Sequence, residues 1–139
     1  MLFRSNPAAA IWLVEVSDFQ CPWCKKFHDE TFATVKKEYV DSGKIRLAYL
    51  NLPLSMHANA MPAAIAAMCA SAQGKFWEMH DKLFDTQQTW EKLANPRPFF
   101  DSLAVAVGAK AAAHKSCSEN AAIKALIQDR KSTRLNSSH

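Results

Sequence analysis

The chain has 139 residues, 49% hydrophobic and 22% charged, the composition of one folded globular domain. Its formal charge of +4 lies largely at the ends: with Arg4, Arg130, Lys131, Arg134 and Asp129 set aside, 13 basic and 12 acidic side chains remain, net +1. That balance gives no ground for nucleic acid or anionic lipid as a partner, and no run reaches the ~18 apolar residues of a membrane span.

Residues 1–5 (MLFRS) and 129–139 (DRKSTRLNSSH) are spelled like translated sequencing adapters. Both ends are set aside from fold reasoning. Residues 129–139 carry no apolar period or cap, and are expected to pack against nothing and to belong to no regular element of the core. The domain is expected at 6–128.

Within it, residues 11–16 (IWLVEV) form an apolar, β-branched run, the pattern of a strand buried on both faces. Phe27, Thr31, Phe32, Val35 and Tyr39 then recur at helical spacing, and Asp41-Ser42-Gly43 supplies a stop. Residues 44–50 (KIRLAYL) alternate like a second strand, ended by Asn51-Leu52-Pro53. Strand, helix and strand over 6–54 make a βαβ unit with parallel strands and a right-handed crossover.

From 55 to 128 the pattern is helical. An alanine-rich helix is predicted over 59–73, closed by Gly74. A second, over 75–87, places Phe76, Met79, Leu83 and Phe84 on one stripe, with Trp77 beside it. A third spans 99–107, and Ser116 with Glu119 reads as a capping box opening a last helix through Gln128.

The chemistry concentrates in FQCPWCKKFH, residues 19–28. Covalent haem attachment requires histidine directly after the second cysteine, and Lys25 stands there. Zinc requires four ligands; Cys21, Cys24 and His28 offer three, with Cys69 and Cys117 far away in sequence. A structural disulfide across two residues would constrain the unfolded chain little. A redox-active dithiol fits best. Pro22 suits the first helical turn, so Cys21 falls at a helix N-terminus, where free N–H groups and the macrodipole favour a thiolate. Cys24 follows on the same helix face, within disulfide reach.

Residues 14–27 (VEVSDFQCPWCKKF) closely resemble the active-site segment of DsbA-like thiol–disulfide oxidoreductases. Residues 51–54 with His57, and 73–84 (QGKFWEMHDKLF), resemble that family's second-strand exit and helical insertion. The resemblance implies an α/β thioredoxin-like fold with a helical insertion at 55–128. It implies Cys21 as the exposed nucleophile and Cys24 as the buried resolver, without a cofactor. It further implies unfolded or reduced exported proteins as substrates, a membrane redox partner, and a periplasmic or other extracytoplasmic location. The family's cis-proline loop and C-terminal strands have no counterpart after Gln128, and Pro53 ends the second strand too early to serve. The chain as it stands is therefore expected to be inactive alone.

Glu15 resembles the buried acid that assists proton transfer in this superfamily; a strand-edge glutamate reaching solvent is the plain alternative. Pro22 and Trp23 are expected to tune the dithiol, and His28 either to favour a thiolate or simply to be half-buried. Cys69 and Cys117 are expected to form a second disulfide, as in relatives that staple the insertion, against two separate buried thiols. Met56, His57, Met61, Met68 and Met79 include donors suited to Cu(I), but methionine commonly fills cores, and no metal site is assigned. The rival functions are a reductase or isomerase of the same fold, and a zinc- or copper-binding thiol module.

Overall fold

Three short strands form the sheet of the computed structural model, which describes residues 2–4 and 6–137. They are β1 (Leu2–Arg4), β2 (Ile11–Ser17) and β3 (Ile45–Asn51), in the order β1-β3-β2. The expected parallel pair is present: β2 runs alongside β3 from Ile11 opposite Ile45 to Ser17 opposite Asn51. β1 pairs antiparallel on the other side, Leu2 opposite Tyr49. Residues 2–4, set aside with the artefactual end and outside the domain expected at 6–128, thus form a strand of the sheet. Residues 1 and 5 lie outside those described.

The burial of the two parallel strands inverts the sequence reading. β3, expected to alternate, buries Leu47, Ala48, Tyr49 and Leu50 in succession, because it has a strand on each side and helices over both faces. β2, expected to be buried on both faces, leaves Ile11, Trp12, Leu13, Val14 and Val16 between 36% and 64% exposed. It has a neighbour on one side only among the described residues.

One continuous helix crosses between them over residues 22–40. It is α-helical at α1 (Pro22–Phe27) and α2 (Ala33–Val35), and winds wider, with π geometry, at His28–Phe32 and Lys36–Val40. Its stop is the expected one. Gly43 adopts φ +78°, a left-handed conformation natural to glycine, and the chain turns with Lys44 N donating to the Tyr39 carbonyl at 2.9 Å. Phe32 and Val40 of this helix pack on Leu47.

Six helices follow: α3 (Ala60–Ser71), α4 (Phe76–Asp85), α5 (Gln87–Trp90), α6 (Arg97–Ala106), α7 (Ala111–Glu119) and α8 (Ala121–Ser137). Alanines 63, 66, 67 and 70 of α3 are buried, and their small side chains let α4, α6 and α7 approach closely. The predicted α4 stripe is the core stripe: Phe76, Met79, Leu83 and Phe84 are all at most 4% exposed. Each such aromatic or aliphatic side chain contributes about 1.5–3 kcal/mol by its burial. Trp90 is fully buried, and its indole N–H donates to the Leu83 carbonyl at 2.9 Å.

Two boundary expectations fail. Ser116 and Glu119 close α7 instead of opening the last helix; Asn120 intervenes, and its Oδ1 accepts the Ala122 N–H at 2.9 Å, a good N-cap arrangement. The last helix does not stop at Gln128 but runs to Ser137, so residues 129–137 belong to a regular element. Nothing there interrupts it: the segment lacks Gly and Pro, and elongating an existing helix fixes one residue per bond gained. Arg130 flanks a small cleft with Tyr49, Leu50 and Met68, so the contact with the body also extends past 128. Residues 138 and 139 lie outside those described. No described helix is long and apolar enough to cross a membrane.

Candidate active site

β2 ends at Ser17, and the chain turns through Asp18, Phe19 and Gln20 into α1. Cys21 is the N-cap residue, in extended conformation (φ −69°, ψ 123°), and Pro22 occupies the first turn, where its missing N–H costs nothing. The first free N–H groups of the helix therefore lie beside the Cys21 sulfur. Both cysteines are free thiols of intermediate burial, but Cys24 packs against the central apolar cluster. Burial pushes the Cys24 thiol above its usual pKa, the Asp18 backbone and Ser17 hydroxyl pull it back, and Cys21 pushes it up again.

The turn is fastened from four directions. Asp18, 4% exposed, accepts the Gln20 N–H at 2.7 Å through Oδ1, and the Leu54 N–H at 2.9 Å through Oδ2. The His57 ring meets the same Oδ2 at 2.7 Å, fixing the loop after β3 to the dithiol. Gln87 of α5 donates to the carbonyls of Phe19 (2.7 Å) and Cys21 (3.2 Å). Gln20 accepts the Asn59 N–H at 2.7 Å and donates to the Glu91 carbonyl at 3.1 Å. The helical region thereby holds the CxxC turn rigid. Such fastening suits a group that must present one sulfur at fixed geometry.

Behind the cysteines lies a polar cluster inside apolar walls. The Glu15 side chain is 10% exposed, and its pKa is raised to about 7, chiefly by burial, with Ser17 opposing and the Asp81 charge adding. Glu15 is therefore a buried acid, not a strand-edge residue reaching solvent. The Ser17 hydroxyl lies close enough to both Glu15 and Cys24 to favour their ionised forms. Glu15 Oε2, Ser17 Oγ and Tyr49 Oη are all buried here, and the Ser17 hydroxyl is the polar group placed to serve Glu15, Cys24 and Tyr49 in turn. A groove of about 360 Å³ runs along the open side of β2, lined by Leu13, Val14, Glu15, Trp23, Cys24 and Phe27 among others.

The remaining expected residues distribute as follows. Trp23 is 73% exposed, with the Lys26 ammonium 5.6 Å from its ring centroid, so it presents an aromatic surface between the sulfurs and solvent. His28 is half-buried; it stacks on Phe84 (centroids 5.0 Å apart), and its Nε2 meets Asp85 at 3.3 Å. The metal-capable groupings among the described residues, His28 with His80 and Asp81, and His28 with Asp29 and Asp85, contain neither sulfur. Cys69 and Cys117 are bonded, with Cα atoms 5.7 Å apart and a sequence separation of 48, joining α3 to α7. Met79 is core, and His57 serves Asp18.

Sequence reasoning missed Ser17, Asp18, Gln87, Tyr49 and His80. A signal existed for the first two: adjacent polar residues between an apolar strand and a CxxC have to be satisfied by something. The others meet the site only through long-range packing.

The fold and the dithiol at its strand-to-helix turn define a thioredoxin-type domain with a helical subdomain. The thioredoxin family model matches residues 2–137, and the chain belongs to that family. Among curated relatives, disulfide bond formation protein D of Bacillus subtilis is 30% identical over 87 residues, 59% of this chain and 39% of that protein. The Na(+)/H(+) antiporter NhaA 3 of Salinispora tropica is 40% identical over 85 residues, 60% of this chain and 12% of that one. The chain thus spans well under half the length of these relatives. Among solved structures, alpha-DsbA1 of Wolbachia pipientis superposes with a TM-score of 0.85 at 24% identity, covering 96% of this chain and 67% of that one. Oxidised BdbD of B. subtilis gives 0.83 at 22%, covering 96% and 74%. These likenesses carry the DsbA-type fold, helical subdomain included.

Proposed function

We propose that this chain is the redox-active portion of a DsbA-like thiol–disulfide oxidoreductase that forms or exchanges disulfides in exported proteins. Cys21 attacks and Cys24 resolves. The observation that carries the reading is the asymmetry of the dithiol: Cys21 stands at the N-cap of the crossover helix, while Cys24 is packed on the core with its thiol pushed up by burial.

In the oxidising direction a substrate thiolate attacks the Cys21–Cys24 disulfide at Cys21. A mixed disulfide forms and Cys24 leaves as the thiolate, taking a proton. A second substrate thiolate then attacks the substrate sulfur of the mixed disulfide and releases reduced Cys21. Glu15, buried behind Cys24, supplies and accepts the Cys24 proton. A membrane redox partner reoxidises the pair. The location outside the cytoplasm is supported by the Cys69–Cys117 bond, since structural disulfides persist mainly in oxidising compartments.

The test is alkylation of the reduced protein at mildly acidic pH, with peptide mapping. Cys21 is expected to label first; faster labelling of Cys24 would reverse the assigned roles.

A further inference from the structure

His80 is the most enclosed ionisable side chain near the dithiol. It sits on α4 at 0% exposure, ringed by Phe19, Phe32, Tyr49, Phe76, Trp77 and Phe84, all with centroids within 5.9 Å. Its two nitrogens face two carboxyl groups. Nδ1 lies 2.9 Å from Asp81 Oδ1, and Nε2 lies 3.9 Å from Glu15 Oε2. Asp81 is 48% exposed, Glu15 10%. A line of titratable atoms therefore runs from solvent, through the aromatic core of the helical subdomain, to the acid that shares a groove and the Ser17 hydroxyl with Cys24.

The second buried histidine shows how different this is. His114 is 1% exposed and engages both ring nitrogens structurally, Nδ1 with Asp101 at 3.0 Å and Nε2 with the Ala66 carbonyl at 3.2 Å. It pins α7 to α6 and α3. His80 instead places a ring nitrogen opposite an acid that shares its groove with a reactive thiol.

We propose that Asp81, His80 and Glu15 form a proton route joining solvent to the Cys24 thiol, in which His80 and Asp81 act on the cysteine only through Glu15. The inference rests on the dithiol reading above. The Asp81 carboxylate accepts from Nδ1–H, which leaves the Nε2 lone pair facing Glu15, placed to take a proton once Glu15 carries one. The 3.9 Å gap is one that a single bridging water or a small movement of the Glu15 side chain closes.

The step balances as follows. In resolution of a mixed disulfide, Cys24 sulfur forms a bond to Cys21 sulfur, and the bond from Cys21 to the partner sulfur breaks. The partner leaves as a thiolate and takes a proton from water. The Cys24 proton passes to the Glu15 carboxylate, from Glu15 to His80 Nε2, and the Nδ1 proton leaves through Asp81 to solvent. The imidazole returns to its starting tautomer when the path runs backwards, as Cys24 next leaves as a thiolate and takes up a proton from Glu15, which His80 Nε2 and, at Nδ1, solvent through Asp81 resupply. The other titratable groups facing this route are Tyr49 from β3, His28 from the crossover helix (ring centroids 5.4 Å from His80, with its own Nε2 on Asp85) and Cys24 itself.

The experiment loads Cys21 with glutathione and follows glutathione release by Cys24 from pH 5 to 9. It compares the unmodified chain with Asp81→Asn, whose position is half-exposed, and His80→Gln, with melting curves as the control for folding. Release in the unmodified chain is expected to rise with pH through an inflection near 7, where Glu15 ionises. Asp81→Asn removes a negative charge that holds Glu15 protonated, so the inflection moves to lower pH. His80→Gln slows release by roughly 100-fold or more, the range of one proton-transfer group. Unchanged rates and inflections in both variants would overturn the proposal. A second readout does not depend on exchange: Glu15→Gln should shift the NMR titration of the His80 ring, and an unaltered titration sinks the route. If the unmodified chain releases no glutathione, the dithiol reading fails and the NMR measurement alone decides the coupling.

Discussion

The inside of the helical subdomain and the open side of β2 are built from similar residues and have opposite surroundings. Between α3, α4 and α6, Trp90, Phe100, Leu83 and Phe84 are at most 2% exposed and the alanines of α3 fill what remains. Along β2, Ile11 at 64%, Val14 at 42% and Leu13 at 36% meet solvent although they are as apolar as the core. Apolar content alone therefore does not determine burial. What decides is how many neighbouring elements reach the residue, four in the subdomain and one strand plus part of a helix at β2. Among the described residues no strand lies on the outer side of β2, and such an edge is a ready template for another strand.

Three measurements would break or sharpen that contrast. Trp90→Ala removes a fully buried indole together with its bond to the Leu83 carbonyl, and should lower unfolding free energy by about 3–5 kcal/mol. A loss below ~1 kcal/mol in denaturant titration would mean the subdomain is less tightly packed than it looks. Replacing both Cys69 and Cys117 by Ala opens a loop of 48 residues, and chain entropy then favours the unfolded state by about 4 kcal/mol before any strain is counted. Equal melting of the oxidised and doubly substituted chains would show that the subdomain core suffices without its staple. Val14→Thr, at a largely exposed site, should change stability by no more than about 0.5 kcal/mol while reducing self-association of concentrated protein. A large loss of stability there would show that the strand is covered after all.

The sequence exposed the parts whose logic is local. The CxxC after an apolar strand, with Pro22 in the next turn, located the dithiol, and the 76-79-83-84 spacing located the α4 stripe. The inversion between β2 and β3 was hidden because a short apolar run does not tell how many strands flank it. The capping-box pattern of Ser116 and Glu119 misled because the same spelling occurs inside a helix, and Asn120 was the stronger cap. Glu15 was visible as an oddity, but whether it reached solvent depended on His80, Tyr49 and Asp81, which lie 34 to 66 positions later in the chain. No periodicity in one stretch reports on such a meeting.

The bond between α3 and α7 also sets an order of events. Cys69 is entirely enclosed once the helices have docked, and only the Cys117 side of the pair retains some access. Had the helices closed over two unjoined thiols, no oxidant molecule could reach the Cys69 sulfur without prising them apart. The oxidant is therefore met by the Cys117 sulfur first, and Cys69 closes the bond from within by displacing it. The free dithiol of Cys21 and Cys24 is thus carried by a domain that must itself take in a disulfide as it matures.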